Sequence, residues 1–296
     1  MRVWHTALGS ALLVFSLAPP LQAGDLDAQA LDRALGAAGR SLSGGVRRYG
    51  WPRRDLAVTL GGVKLEPALA LGSWGAFLPA AQDGEAMTMG DLVLLESEVA
   101  PVVASLQAGG LDVLAIHNHL VGERPPVVYV HFGGHGDPAA LGRGLKAALG
   151  KTKTPSGPSA PREPTAPEKA LFTRLEKALG HSGAPAGRVL QVSVPRAGKI
   201  EEHGLEIPPS MGMGTAMNFQ PVGEKLATTG DFVLVASEVN PVIAALVANG
   251  LQATALHSHM LEETPRLFFL HFWGLDTPER IGAALAAALA KVDVKK

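Results

Sequence analysis

The strongest constraint on this chain is that its sequence repeats itself. A shift of 140 residues overlays residues 90–150 on residues 230–290 without a gap, and about 28 of the 61 aligned positions are identical. Identity at that level over a gapless stretch indicates an internal duplication. The same shift aligns Leu35 with Leu175, so the duplication extends upstream of the best-matched region. The chain is therefore expected to fold as two similar units, each with a core of its own.

Four segments follow from the positions of the repeats. We predict a signal peptide at 1–23, a first repeat domain at 24–150, a linker at 151–166 and a second repeat domain at 167–296. The linker carries a proline at every third position from 155 to 164, among serine, threonine and charged residues. This composition cannot build a core and is typical of an extended, semi-rigid spacer.

The first residues have the pattern of a secretory signal. Arg2 supplies a positive charge, residues 7–18 are mostly apolar and uncharged, and Ala23 offers a cleavage site before Gly24. The apolar run is shorter than the roughly 20 residues that a membrane-spanning helix needs. We therefore expect a periplasmic or secreted protein with no membrane span once the signal is removed.

Charge and cysteine content limit the partners. The formal net charge of −1 gives no basic footprint for nucleic acid. The chain has no cysteine, so disulfides, cysteine-ligated zinc and thiol nucleophiles are excluded. We expect the partner to be a small-molecule ligand, whose identity the sequence does not give.

Hydrophobic patterning of the second copy predicts its elements. A short buried strand at 232–235 precedes a helix at 237–248. Strands at 251–261 and 266–273 then form an antiparallel hairpin, and a final helix covers 278–291. Each copy is thus predicted to be a β-α-β-β-α unit, and the chain an α+β protein of two similar domains related by a pseudo-twofold axis.

Six of the ten histidines belong to one repeated pattern, in which a His-x-His pair is followed by a third histidine on the next strand. They are His117, His119, His131, His257, His259 and His271. Alternate strand residues point to one face, so the members of each pair should lie about 7 Å apart on that face. If His131 lies opposite His117 or His119, all three rings converge, whereas a slip of one residue separates them.

Three imidazoles from two adjacent strands, with a fourth position open, form a ligand set that suits zinc. Imidazole also suits copper. We therefore predict that the six histidines hold a divalent transition metal, zinc or copper. Their persistence through the duplication favours a shared function over chance. The alternative is a polar pocket without metal, in which the histidines hold an anion or a sugar.

A repeated glutamate follows each His-x-His pair. Glu123 and Glu263 come four residues after the second histidine of their copy. We predict that they are catalytic, each as a general base, with metal ligation or orientation of an imidazole N–H as alternatives. A solvated turn residue is the remaining interpretation.

The other repeated acids receive structural assignments. Glu98 and Glu238 fall in the first turn of a predicted helix, where a carboxylate stabilises the positive end of the helix dipole. Asp91 and Asp231 each follow a glycine at a predicted strand start. We expect these two aspartates in turns rather than in a catalytic site.

The second copy contains the phrases Gly230-Asp-Phe-Val-Leu, Ser237-Glu-Val-Asn-Pro241, Thr254-Ala-Leu-His257, His259-Met-Leu and Pro265-Arg-Leu-Phe-Phe-Leu-His-Phe-Trp273. They resemble the family named after the mycobacterial lipoproteins LppY and LpqO, and the resemblance extends over both halves. It implies secretion and duplication but no reaction, since the family is known as a domain of unknown function. Ala100 and Ser258 stand where the motif has Asn, and the lipobox cysteine is missing, so lipid attachment does not carry over.

Two functions are compatible with these features. The leading hypothesis is an exported protein that binds a transition metal and, as an enzyme, acts as a metal-dependent hydrolase. The alternative is a non-catalytic periplasmic ligand-binding or interaction module, with the histidines lining a polar pocket. The sequence does not decide between an enzyme and a binding protein.

Cleavage after Ala23 is the testable consequence of the predicted signal. Exported protein should begin near Gly24, because the small residue at 23 is the best cleavage position after the apolar run. N-terminal sequencing of protein recovered outside the cytoplasm checks this, and an intact Met1 on exported protein contradicts it.

Overall fold

The computed structural model describes residues 26–80, 82, 84–157 and 162–295. The predicted signal peptide lies outside these residues. The first half contains α1 (Ala28–Leu35), β1 (Arg40–Ser41), β2 (Arg47–Pro52), β3 (Thr59–Leu60), β4 (Val63–Lys64), α2 (Pro67–Ala70), β5 (Gly72–Pro79), β6 (Ala86–Leu95), α3 (Glu96–Ala108), β7 (Asp112–His117), β8 (Val127–Gly136) and α4 (Pro138–Leu149). The second half contains α5 (Ala166–Leu179), β9 (Ala184–Ala186), β10 (Val189–Pro195), β11 (Glu201–Glu202), β12 (Leu205–Glu206), β13 (Gly214–Val222), β14 (Lys225–Val235), α6 (Ala236–Ala248), β15 (Gln252–His257), β16 (Leu267–Asp276) and α7 (Pro278–Leu289).

Each half builds a six-stranded antiparallel sheet with the same strand order. The order is β1-β2-β5-β6-β8-β7 in the first half and β9-β10-β13-β14-β16-β15 in the second. Helices α1, α3 and α4 cover one face of the first sheet, and α5, α6 and α7 cover the same face of the second. The predicted mixed fold with two similar halves is confirmed. Within the described ranges, none of the helices is both long enough and apolar enough to cross a membrane.

The other face of each sheet packs against the opposite half. A segment that follows the second long strand lies between the sheets, residues 53–71 in the first half (the first arm) and 196–213 in the second half (the second arm). Apolar residues of the first arm share a core with Trp273 of the second half. Apolar residues of the second arm share a core with Val46 and Met87 of the first half. The two halves therefore exchange equivalent contacts, as a pseudo-twofold axis requires.

The first helix of each half shows where the 140-residue shift fails. Helices α1 and α5 end at Gly36 and Gly180, both with left-handed backbone conformation. These equivalent helix ends are 144 residues apart, so Leu35 corresponds to Leu179 and not to Leu175. The alignment of Leu35 with Leu175 is wrong by one helical turn, because short insertions lie between α1 and β6.

Part of that difference comes from one hairpin. The connection between β5 and β6 is two residues longer than the connection between β13 and β14. As a result, Trp74 and Ala216 occupy equivalent positions, opposite Asp91 and Asp231 respectively. From β6 onward the shift of 140 residues holds.

A buried ion pair ties the beginning of each arm to a helix. Arg53 Nη1 donates to Glu98 Oε2 at 2.7 Å, and Arg196 Nη1 donates to Glu238 Oε2 at 2.6 Å. Each carboxylate also accepts the backbone N–H of the residue before its helix at 2.9 Å. The predicted stabilisation of the two helix N-termini is confirmed, and the same carboxylates fix the arms.

The glycine before each repeated aspartate is a mid-strand residue. Strands β6 and β14 begin several residues earlier than predicted, so Gly90 and Gly230 lie within them. A Cβ on Gly230 would lie 2.0 Å from the carbonyl oxygen of Ala216, and one on Gly90 would lie 2.3 Å from that of Trp74. The predicted strand start at 232 is wrong because these glycines permit close approach to the neighbouring strand rather than ending β14.

Substitution of Gly230 tests this close approach. Gly230→Ala should lower the free energy of unfolding by about 3 kcal/mol, because its methyl group meets backbone that cannot rotate away. Gly198→Ala is the matched control, since nothing lies within 4 Å of its Cβ position. Urea denaturation of both variants measures the difference, and equal midpoints would contradict the argument.

Candidate functional site

The hairpin register brings the three histidines of each half to one face. Ala115 lies opposite His131, and His117 lies opposite Tyr129. Neither predicted pairing of His131 with His117 or His119 occurs. The rings still converge, because His117 is two residues from Ala115 and so shares the face of His131. Strand β7 ends at His117, which places His119 beyond the strand rather than on it.

The same arrangement recurs in the second half. Ala255 lies opposite His271, and β15 ends at His257. Within each half the ring of the strand-end histidine lies 4.9 Å, centroid to centroid, from each of the other two rings. Each histidine triplet therefore shares one small volume.

The two triplets meet at the pseudo-twofold axis and form one cluster of six rings, here called the histidine cluster. His117 stacks on His257 with ring centroids 3.5 Å apart. His119 stacks on His271 at 3.6 Å, and His131 stacks on His259 at 3.9 Å. The first pair joins equivalent residues, and the other two pairs are exchanged by the axis. Neither half alone could form this arrangement.

Two aspartates complete the cluster, and sequence reasoning missed both. Asp91 lies opposite His131 on the neighbouring strand, and Asp231 lies opposite His271. The carboxylate of Asp91 lies 4.0 Å from His119 Nε2 and 3.9 Å from His131 Nε2. The expected turn assignment of these aspartates is therefore wrong.

The second half repeats this geometry. The carboxylate of Asp231 lies 3.5 Å from His259 Nε2 and 3.8 Å from His271 Nε2. One signal in the sequence could have identified the aspartates. Both persist through the duplication, as the six histidines do.

The ligand atoms of the cluster lack protein partners. Among the described residues, no hydrogen bond reaches Nε2 of any of the six histidines or Oδ1 of either aspartate, although all these atoms are buried. In one ring the tautomer is defined, because Nδ1 of His271 lies 2.9 Å from the carbonyl oxygen of Gly230. Nδ1 carries the proton there, which leaves the Nε2 lone pair directed into the cluster.

Burial sets the charge of these groups. It lowers the pKa of the four most buried histidines well below 6.5, and the neighbouring rings lower it further. Burial also lowers the pKa of His257 to about 3. The pKa of Asp91 and of Asp231 is raised well above 3.8 by the same loss of solvation. At neutral pH the imidazoles are therefore uncharged, which is the form that binds a metal ion.

The ligand atoms group into sets that could hold metal ions. Each half supplies one set of its own, which is Asp91, His119 and His131 in the first half and Asp231, His259 and His271 in the second. Within each set the ligand atoms lie within 4.8 Å of one another. His117 and His257 belong to two further sets that span both halves. The two half-specific sets share no residue, so both could be filled at once.

The repeated glutamates lie in the turn before the last strand of each half. Glu123 Oε1 accepts the backbone N–H of Val127 at 3.5 Å, and Glu263 Oε1 accepts that of Leu267 at 2.8 Å. Both glutamates are buried. These contacts close the turns, and neither glutamate belongs to a set of candidate metal ligands among the described residues. Their catalytic role stays a prediction.

A cavity of about 490 Å³ gives access to the cluster. Both aspartates and four of the histidines line it, together with Arg48, Trp74 and Tyr129. Tyr129 stacks on His119 with ring centroids 3.4 Å apart, and Phe269 stacks on His259 at the same distance. A small molecule in this cavity would face both half-specific sets.

Comparison with known proteins gives one family. A family model described as "Domain of Unknown Function (DUF1259)" matches residues 29–151 and 173–291. No curated protein matches the chain.

Solved structures give only weak similarity. The fused permuted hexameric shell protein MSM0275 from the RMM microcompartment has 11% identity and a TM-score of 0.19, with 72% of this chain and 87% of that chain covered. The trimeric bacterial microcompartment shell protein PduB has 12% identity and a TM-score of 0.20, with 92% and 91% covered. EtuB from Clostridium kluyveri has 11% identity and a TM-score of 0.19, with 85% and 90% covered. Similarity this low carries no argument about the function of this chain.

Replacement of one aspartate separates a ligand role from a structural role. In chelator, Asp231→Asn should raise the free energy of unfolding by about 1–3 kcal/mol at pH 7, because the buried carboxylate no longer has to be desolvated. This gain should shrink as the pH falls toward 3.8, where the unfolded carboxyl is protonated as well. In zinc-containing buffer the order should reverse, since only the native chain keeps both sets.

Thermal unfolding in the two buffers measures this reversal. Asp276→Asn is the matched control, because Asp276 lies on the same strand but outside the candidate sets and pairs with Arg280. Its stability relative to the native chain should not depend on zinc. A destabilised Asp231→Asn variant in chelator would indicate a purely structural aspartate.

Proposed function

We propose that this chain, which belongs to the family described as Domain of Unknown Function (DUF1259), binds two divalent transition-metal ions at its centre. One ion is assigned to Asp91, His119 and His131, and the other to Asp231, His259 and His271. We also infer that this is the family named after LppY and LpqO, which the repeated phrases resemble. The division into domains at 24–150 and 167–296, with a linker at 151–166, is part of the same proposal.

One observation carries the proposal. Eight buried ligand atoms converge, six imidazole nitrogens and two carboxylate oxygens, and none has a hydrogen-bond partner among the described residues. A buried polar atom without a partner costs about 1–3 kcal/mol. Eight such atoms at one place are hard to explain by packing alone, whereas coordination would satisfy all of them. Two imidazoles and one carboxylate form a ligand set that suits zinc and leaves a position open.

A metal-dependent hydrolase is the enzymatic form of this proposal. A divalent ion held there would supply Lewis-acid chemistry. The cavity beside the ligand atoms provides room for a small molecule. The predicted bases, Glu123 and Glu263, close turns through backbone hydrogen bonds, so Asp91 and Asp231 are the carboxylates nearer the chemistry. Export to the periplasm or the medium remains part of the proposal, since it rests on the signal pattern alone.

The alternative function is a non-catalytic ligand-binding module. The same cavity supports it, because neutral histidines and stacked aromatic rings can hold a polar small molecule without a metal ion. Metal content decides between the two functions.

Metal analysis of purified protein without a histidine tag tests the proposal. After exposure to zinc or copper and dialysis, the native chain should hold two equivalents of metal. His131→Ala and His271→Ala should each hold one equivalent, because each removes a ligand from one set only. Inductively coupled plasma mass spectrometry provides the count.

The control is His181→Ala, a histidine outside the histidine cluster, which should keep two equivalents. The metal-free variants should unfold near the native temperature, since each loses a ring whose Nε2 has no partner. A native chain with less than 0.2 equivalent of either metal would overturn the proposal. Metal that stays bound when both sets are altered would also overturn it.

A further inference from the structure

A second, larger cavity lies beside the first one. Its volume is about 920 Å³, and its walls come mainly from the outer strands and the first arm of the first half. Six basic side chains line it, Arg40, Arg48, Arg54, Lys64, Arg162 and Arg188, against one acidic side chain, Glu66. Glu66 is paired with Arg188 at 3.1 Å. This cavity, here called the basic cleft, therefore carries a net positive charge.

Arg48 and Trp74 join the basic cleft to the metal-site cavity, because both residues line both spaces. The guanidinium carbon of Arg48 lies 3.9 Å from the centre of the Trp74 ring. One of its N–H groups donates to the carbonyl oxygen of Ser210 at 3.0 Å. Among the described residues, no carboxylate forms a salt bridge with Arg48. Most of its five N–H donors therefore remain available to a ligand.

The strand register directs these side chains toward the metal site. Trp74 lies opposite Asp91 on the neighbouring strand, and Gly50 lies opposite Trp74. Arg48 is two residues from Gly50, so it shares the face of Trp74 and Asp91. Burial lowers the pKa of Arg48 to about 10, which leaves it fully charged at neutral pH. A partly buried guanidinium thus stands between the basic cleft and the candidate ligands.

The second half lacks both residues. Gln191 lies opposite Asn218 on β13, in the position that corresponds to Arg48, and Ala216 corresponds to Trp74. Both replacements still line the metal-site cavity. The centre is therefore symmetric, while its approach is basic and aromatic on one side only.

We propose that the basic cleft binds an organic anion with a planar apolar body, whose acidic group contacts Arg48 beside the metal site and whose body packs against Trp74. A guanidinium binds a carboxylate or a phosphate through paired hydrogen bonds, and the ring that supports it offers an apolar face. The inference rests on the proposed function in one respect, since it names the substrate class for that site.

Calorimetric titration of the full chain tests the proposal with three probes of similar size. Phenyl phosphate and benzoate carry the anionic group, and benzyl alcohol is the neutral control. At least one anion should bind about tenfold more tightly than benzyl alcohol, because it gains charged hydrogen bonds. Arg48→Gln and Trp74→Ala should each weaken that binding by about tenfold or more. Both substitutions introduce the residue type of the second half, which the fold already accommodates.

Two further variants serve as controls. Arg174→Gln removes an exposed arginine that is paired with Glu279, and it should leave anion binding unchanged. Arg48→Lys keeps the charge and should bind the anion more tightly than Arg48→Gln. The proposal fails if neither anion binds more tightly than benzyl alcohol, or if Arg48→Gln binds the anion as the native chain does.

Metal counts on the same samples keep the two proposals separate. Arg48→Gln should retain both metal equivalents, because Arg48 is not a ligand. Anion binding that depends on Arg48 in a chain without metal would overturn the metal proposal only. Two bound metal ions with no anion binding would overturn the substrate proposal only.

Discussion

Three stacked imidazole pairs lie where the two halves of the molecule meet, and the architecture depends on them. The rings bring buried nitrogen atoms together without protein partners, which is unfavourable on its own. Two apolar cores composed of residues from both halves oppose this cost. The arms contribute to those cores and to hydrogen bonds across the interface, such as the one from Asn218 to the carbonyl oxygen of Leu69. The polar centre therefore persists because the surrounding packing holds both halves in place.

Local patterns in the sequence were sufficient to predict the elements around the site. The helix at 237–248, the hairpin that follows it and the last helix correspond to α6, β15, β16 and α7, within a few residues. Those elements have strong apolar periodicity and clear end signals. The main error concerned β14, whose start was hidden by Gly230. A glycine that permits close backbone approach has the same letter as one that ends a strand, and only the neighbouring strand distinguishes them.

The candidate site was predictable only within one half. The repeated spacing brought three histidines together, and face parity preserved that result even though the register differed from both predicted pairings. The aspartates were missed because their proximity to the histidines depends on β6 and β14, whose pairing with β8 and β16 was not predicted. The stacking of His117 on His257 depends on how two separate sheets dock. No periodicity within one copy carries that information.

The duplication explains why the centre and its surroundings have diverged at different rates. All eight candidate ligands lie in the segments that still match at a constant shift, from β6 onward. The outer strands, which carry Arg48 and Trp74 in one half but Gln191 and Ala216 in the other, require shifts of 142 or more. A centre with twofold symmetry presents the same groups in two directions and cannot by itself orient a ligand that has one acidic end. Divergence of the approach, with retention of the ligands, is the change that would give such a centre a single direction of binding.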